Sequence, residues 1–273
     1  MKNIQNISPG IFAIITLVVI SSIVLLPIDT ILLKMSLSDF HSEYIGLAIK
    51  MASILIISYG FIKKMKIEPI TGLSSAYDWK FKYLNMIPVY LIIIGVSGII
   101  ATDVTEIHIG NVVLLLFACL TVGFAEEFLF RGVLQSVFLK KYVHSKNGIL
   151  ISIVLPAIVF GLFHLINLTK NDNVSAVLTQ VVFATFIGFF FGVLVLKTNK
   201  IIPVAFTHGL INFFFSILLL PGIKDIENIV PLEETGNSIA PIILTLPLLV
   251  IGLFVAKKIK KETVVKKLNE SFN

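Results

Sequence analysis

Ile11-Phe12-Ala13-Ile14-Ile15-Thr16-Leu17-Val18-Val19-Ile20 opens an apolar run that continues to Leu33, with Asp29 as its one charged residue. A helix of about 20 apolar residues crosses about 30 Å of hydrocarbon while satisfying its own backbone hydrogen bonds. Only Lys2 precedes the run, no A-x-A-like cleavage site follows it, and further apolar blocks succeed it, so it reads as a first membrane helix and not a signal peptide. Working outward, comparable blocks occupy 43–62, 84–101, 111 to about 133, 149–168, 174–196, 201–220 and 239–256. The expected fold is all-α: a polytopic transmembrane helix bundle of about eight helices.

Composition agrees. Of 273 residues, 56 % are hydrophobic and 14 % charged, against about 25 % charged in a soluble domain. The formal charge of +6 does not point to nucleic acid, because the lysines sit in short loops between apolar blocks and describe topology. Lys2, the group Lys63 to Lys82, Arg131 with Lys140, Lys141 and Lys146, Lys197 with Lys200, and the tail after Ala256 hold most of the Lys and Arg and fall on one side. The opposite loops hold Asp103 and Glu106, or Lys224 with Asp225, Glu227, Glu233 and Glu234. The positive-inside rule then places both ends in the cytoplasm and requires an even number of spans. Short loops and the Lys, Ile and Asn bias suit a bacterial plasma membrane. The lone cysteine, Cys119, has no intrachain disulfide partner.

Three divisions are expected: N-terminal membrane helices over 1–110, a core carrying the chemistry over 111–220, and a last membrane helix with a basic tail over 221–273. In the tail, Val264, Val265, Leu268 and Phe272 recur at helical spacing among lysines, a pattern for lying on an anionic membrane surface or for a plain stop-transfer flank. Tyr77, Trp79, Phe81 and Tyr83 beside Lys80 and Lys82 read as a headgroup anchor. Gly188 and Gly192 read as a helix-packing pair. Asp29, Lys50 and Asp103 are expected to snorkel from span ends, and Asn167 and Gln180 to bond across helices.

Ionisable residues inside spans are costly and are functional candidates by default. The fourth span runs into Glu126-Glu127-Phe128-Leu129-Phe130-Arg131, the fifth holds Phe160 and His164, and the seventh holds His208 and Asn212. Glu127 and Arg131 stack one helical turn apart, the spacing of an ion pair, while Glu126 points about 100° away. That leaves Glu126 as the candidate general base. His208 and Asn212 also share one face. At about 1.5 Å rise per residue, His164 stands about 22 Å above Ile149, and His208 and Asn212 about 10 and 16 Å above Ile201. Glu126 reaches the same band, about 21 Å above Lys140, only if the fourth helix continues beyond Arg131. Leu134, Val137 and Phe138 supply an apolar stripe for that extension, so a long fourth helix is expected. A carboxylate, two imidazoles and an amide have the parts to activate water for amide hydrolysis. The same donors, Glu126, His164 and His208, could also hold zinc with an open position for water.

At these residues the chain resembles the CAAX-protease and bacteriocin-processing (Abi) family of intramembrane proteases, whose pattern is Glu-Glu-x-x-x-Arg, Phe-x-x-x-His and His-x-x-x-Asn. The match runs over roughly 112–216. The resemblance implies a cavity open to the cytosol and hydrolysis of a peptide bond in a membrane-anchored peptide or protein, either a CAAX-type prenylated tail or a signalling or bacteriocin-type peptide. It assigns water activation to Glu126 with His164, oxyanion support to His208 and Asn212, and supporting roles to Glu127, Arg131 and Phe160. Family members are described both as metalloproteases and as glutamate-dependent proteases; no His-Glu-x-x-His motif is present here, and zinc stays open. The alternative is a non-catalytic bacteriocin-immunity or peptide-binding membrane protein using the same cavity. A proton-coupled transporter is the third reading, opposed by the lack of repeated halves.

Overall fold

The computed structural model describes residues 8–99, 106–223 and 239–272; Lys2, Asp103 and the acidic stretch from Asp225 to Glu234 lie outside them. Among the described residues there is no strand, and seven helices are long and apolar enough to cross a membrane. They are α1 (Pro9–Lys34), α2 (Asp39–Lys64), α3 (Lys82–Ile99), α4 (Ile109–Tyr142), α5 (Gly148–Thr169), α6 (Val174–Thr198) and α7 (Ile202–Leu219). An eighth apolar helix, α8 (Ala240–Ala256), is followed across an 86° bend by α9 (Lys261–Glu270). The protein is an integral membrane protein, with seven to eight candidate transmembrane helices among the described residues.

The helices begin where the chain offers caps. Ser8, Ser38 and Asn173 accept hydrogen bonds from the backbone amides of Ile11, His41 and Ala176, satisfying donors that a first turn leaves unpaired. Pro27 breaks α1 into Pro9–Val24 and Ile28–Lys34, as expected of a residue that cannot donate to the helix ladder. Apolar side chains cover the outside: Ile14, Val18, Ile56, Ile93, Val113, Phe117, Ile243 and Phe254 are exposed, a surface suited to lipid and not to water.

The extension of α4 is present. The helix runs 34 residues to Tyr142, about 51 Å at 1.5 Å per residue, and Leu134, Phe138 and Leu139 in its last turns are buried. Its middle, Phe128–Leu134, is π-helical and entirely buried, a wider turn that is rare and often found at functional sites. Helix α4 packs on α2 and α7, α5 on α6, and α6 on α8, and one apolar cluster joins α1, α2, α4, α5, α6 and α8.

The tail is packed: α9 folds onto the protein, with Val264 and Leu268 buried in the main cluster and Val265 and Phe272 packed against it. A stripe at helical spacing serves either surface, and the one provided by the short helix Glu68–Thr71 is closer at hand. Lys50 lies within α2 at 5 % exposure.

Candidate functional site

The site forms where α4 and α7 come closest. A Cβ on Gly123 would lie 2.4 Å from the backbone nitrogen of Gly209 and 2.6 Å from the carbonyl oxygen of Ala205, so only glycine permits this backbone contact. Gly123 lies one turn before Glu126, and Gly209 directly follows His208. The contact therefore brings the imidazole to the carboxylates.

His208 faces both glutamates, through different ring nitrogens. Its Nδ1 is 2.8 Å from Glu127 Oε1, and its Nε2 is 3.5 Å from Glu126 Oε2. Glu127 is fully buried, and Arg131 Nη1 lies 2.9 Å from the same Oε1. That contact misses hydrogen-bond alignment, and neither Nη atom of Arg131 has another partner among the described residues. The guanidinium instead lies over the Phe160 ring, 4.4 Å from its centroid, with favourable cation–π geometry. Gly188 makes room for it, since a Cβ there would sit 2.8 Å from Arg131 Nη2 and 2.9 Å from Phe160 Cδ1.

The adjacent carboxylates are thus unequal. Glu127 is held by Arg131 and His208. The Glu126 side chain keeps 10 % exposure and makes no hydrogen bond among the described residues, only the long contact to His208.

His164 joins from α5. Its ring meets the Phe160 ring edge-on at 4.9 Å between centroids, and His208 meets the same ring at 6.0 Å. Phe160 therefore separates and orients both imidazoles. His164 also lies within electrostatic reach of Glu126, His208 and Arg131. Its Nδ1 is 3.0 Å from the Phe160 carbonyl oxygen. A carbonyl only accepts, so Nδ1 carries the proton and Nε2 of the neutral ring is left as an acceptor. Asn212, one turn beyond His208, is half-buried and makes no hydrogen bond among the described residues.

These donors do not fit zinc as they stand. Nδ1 of each histidine is held, one by Glu127 and the other by the Phe160 carbonyl, which leaves Nε2 as the nitrogen each could offer a metal. Arg131 occupies the flank of the carboxylates where a dication would bring its charge. Among the described residues no group of three or more His, Cys, Asp or Glu is placed to hold a metal, whereas a catalytic zinc needs three such ligands at about 2.0–2.2 Å.

Several residues that shape the site had no functional reading from sequence. Gly123 and Gly209 were visible only as glycines beside charged residues. Gly188 was read as half of a packing pair, yet its space is filled by Arg131. Gln135 donates to the Gly192 carbonyl at 3.1 Å, tying the end of the π-helical turn to α6.

No curated protein and no solved structure matches the chain. A family match exists for part of it, residues 108–214, the stretch from α4 to α7 that contains every residue of the site. The model that matches there is that of the Rce1-like family, described as type II CAAX prenyl endopeptidase Rce1-like, in keeping with the family that the three motifs resemble.

Proposed function

We propose that the protein is an intramembrane endopeptidase that hydrolyses a peptide bond near the C-terminus of a membrane-anchored, CAAX-type substrate, with residues 111–220 as its catalytic core. The observation that carries this reading is the inequality of the two carboxylates: Glu127 is consumed by Arg131 and His208, while Glu126 is buried, adjacent and uncommitted.

The chemistry follows from the donors and acceptors. A water between Glu126 and Nε2 of His164 finds two acceptors, which leaves its oxygen lone pair to meet a substrate carbonyl. As the C–O bond forms, Glu126 takes the proton. With Nδ1–H given to Glu127, Nε2 of His208 donates to the developing oxyanion only when both ring nitrogens carry protons; in that form it and the amide of Asn212 are the donors, in a water-poor site where a preorganised donor contributes most. Glu126 then passes its proton to the departing nitrogen, the C–N bond breaks, and a carboxylic acid and an amine result. Arg131 balances the charge of Glu127, which in turn fixes His208 through Nδ1.

The test uses detergent-purified protein and a prenylated fluorogenic peptide, with metal content measured on the same sample. Glu126→Gln is expected to lower kcat by about 10²–10⁴, the usual worth of a general base. His164→Ala and His208→Ala should also lose activity while the protein stays folded. Undiminished cleavage by folded Glu126→Gln protein would refute the base. Stoichiometric zinc with chelator-sensitive cleavage would replace this mechanism by a metal-dependent one.

A further inference from the structure

Outside the site, three stretches distant in the chain bring lysines and an aromatic ring to one place on the lysine-rich face. Lys197 closes α6, Lys258 and Lys260 stand in the bend between α8 and α9, and Phe81 directly precedes α3. Lys197 Nζ donates to the Lys258 carbonyl oxygen at 2.8 Å and lies 4.4 Å from the Phe81 ring centroid. Helices α6 and α8 pack together, so this contact joins their ends. The charges of Lys258 and Lys260 both act on Lys197, and none of the three lysines forms an ion pair among the described residues. Asp78, the acid nearest Phe81 in the chain, is exposed and pairs with none of them among the described residues. Like charges gathered in this way repel, and an anion among them reverses the sign of the interaction.

The patch lies where the lipid-facing surface ends. Leu253 and Phe254 in the last turn of α8 are exposed, and Lys257, in the next turn, lies over the Phe254 ring at 5.9 Å from its centroid. Around Phe81, the side chains of Trp79, Tyr83 and Met86 are exposed as well, and aromatic rings beside lysines sit at the level of lipid headgroups. Lys197 gives one proton to the Lys258 carbonyl and has two more to donate, while the ammonium groups of Lys258 and Lys260 are exposed. A small soluble anion would leave the apolar rim uncovered. A phospholipid matches both parts, with a phosphate for the ammonium groups and acyl chains for the exposed end of α8.

We propose that Lys197, Lys258 and Lys260 bind the headgroup phosphate of an anionic phospholipid, with Phe81 and Trp79 at its rim. The inference is independent of the proteolytic reading. Net charge decides the choice of lipid: a zwitterionic headgroup carries the same phosphate, but its own ammonium cancels the attraction to the lysines. A lipid held here bridges the ends of α6 and α8, directly before the bend from which α9 folds onto the protein.

Trp79 is the only tryptophan of the chain, so its fluorescence reports this one place. The full chain is reconstituted in phosphatidylcholine vesicles containing, at equal mole fraction, brominated phosphatidylglycerol or brominated phosphatidylcholine, whose bromines quench a tryptophan they touch. Wild-type protein is expected to favour phosphatidylglycerol about fivefold at Trp79. The triple variant Lys197→Met, Lys258→Met, Lys260→Met should show no preference, and Lys197→Arg should keep it. A control that removes equal charge elsewhere on the same face, Lys64→Met with Lys141→Met and Lys146→Met, should also keep it. Should the triple variant not fold, the pair Lys258→Met and Lys260→Met, both at exposed side chains, is expected to lower the preference to about twofold. Equal quenching by the two lipids in the wild type, an unmoved preference in the folded triple or double variant, or an equal loss in the control would overturn the proposal. Soluble glycerol phosphate should leave the quenching unchanged; displacement of the lipid by it would make this a site for soluble phosphates and overturn the lipid assignment.

Discussion

The site between α4 and α7 and the tail helix α9 both bury charge, and they do so in opposite ways. At the site the buried ion pair is matched: Glu127 lies against Arg131 and accepts from His208, whose other nitrogen faces Glu126. Under α9, Lys267 is fully buried and forms no ion pair with a carboxylate among the described residues; its ammonium donates to Asn199 Oδ1 and lies 5.5 Å from the Tyr77 ring centroid. Compensated charges are costly to separate and hold their positions. An uncompensated one answers to pH. The site is therefore built as a fixed frame, and the tail as a clip on the lysine-rich face.

The sharpest way to break that comparison is to unpair the site. Arg131→Met leaves the Glu127 charge at zero exposure with only the His208 imidazole against it and is expected to cost about 3–5 kcal/mol in unfolding measured in detergent. Adding Glu127→Gln removes the orphaned charge, and the double variant should recover most of the stability, because replacing a buried pair costs far less than halving it. If the single variant loses under about 1 kcal/mol, the pair is not the frame described here.

Gly188→Ala is a gentler strain on the same frame. The added methyl meets Arg131 Nη2 and Phe160 Cδ1 at under 3 Å, and overpacking of this kind costs about 1–3 kcal/mol. Phe160 carries both imidazoles, so kcat should fall more than KM rises. Wild-type kinetics from this variant would show that Phe160 and Arg131 can shift without disturbing the histidines.

The ionisable residues that meet at the candidate site were legible because side-chain type and one-turn spacing are written directly in the sequence. Glu127 with Arg131 is an example, and the apolar stripe of Leu134, Val137 and Phe138 was enough to foresee the long α4. Asn167 and Gln180 bond across helices as their polarity suggested, at 2.8 Å. What stayed hidden depends on which helix lies opposite. Glu126 was assigned to the bundle centre and Glu127 to Arg131, yet both meet His208, because the contact of Gly123 with Gly209 sets where α7 stands. No periodicity announces a π-helical turn within an apolar helix. For Lys50, sequence gives its depth along α2 but not the Asp29 and Lys170 brought near it by α1 and α5. The docked tail was hidden for a related reason: the stripe of Val264 and Leu268 suits a bilayer surface as well as a protein groove.

The smallest effect belongs to that tail, and its sign is determined. Burial, followed by the nearby Lys80, pushes the Lys267 amine down to about 8 from its ordinary 10.5. Between those values an undocked tail still holds the proton that the docked tail has released, so docking strengthens as pH rises from about 8 to about 10.5. Below about 8 the cost of burying the charge is present in full. Tyr77 holds the other end, donating its hydroxyl to the Glu270 carboxylate, and burial keeps that hydroxyl protonated to about 12, so this bond does not change in the same window. Protection of α9 from a brief protease pulse should therefore be greater at pH about 9.5 than at pH about 7, whereas Lys267→Met, which keeps an apolar stem and has no proton to lose, should show no step. A step of equal size in Lys267→Met would assign the titration to another group on that face and remove the contrast between a fixed site and a titrating clip.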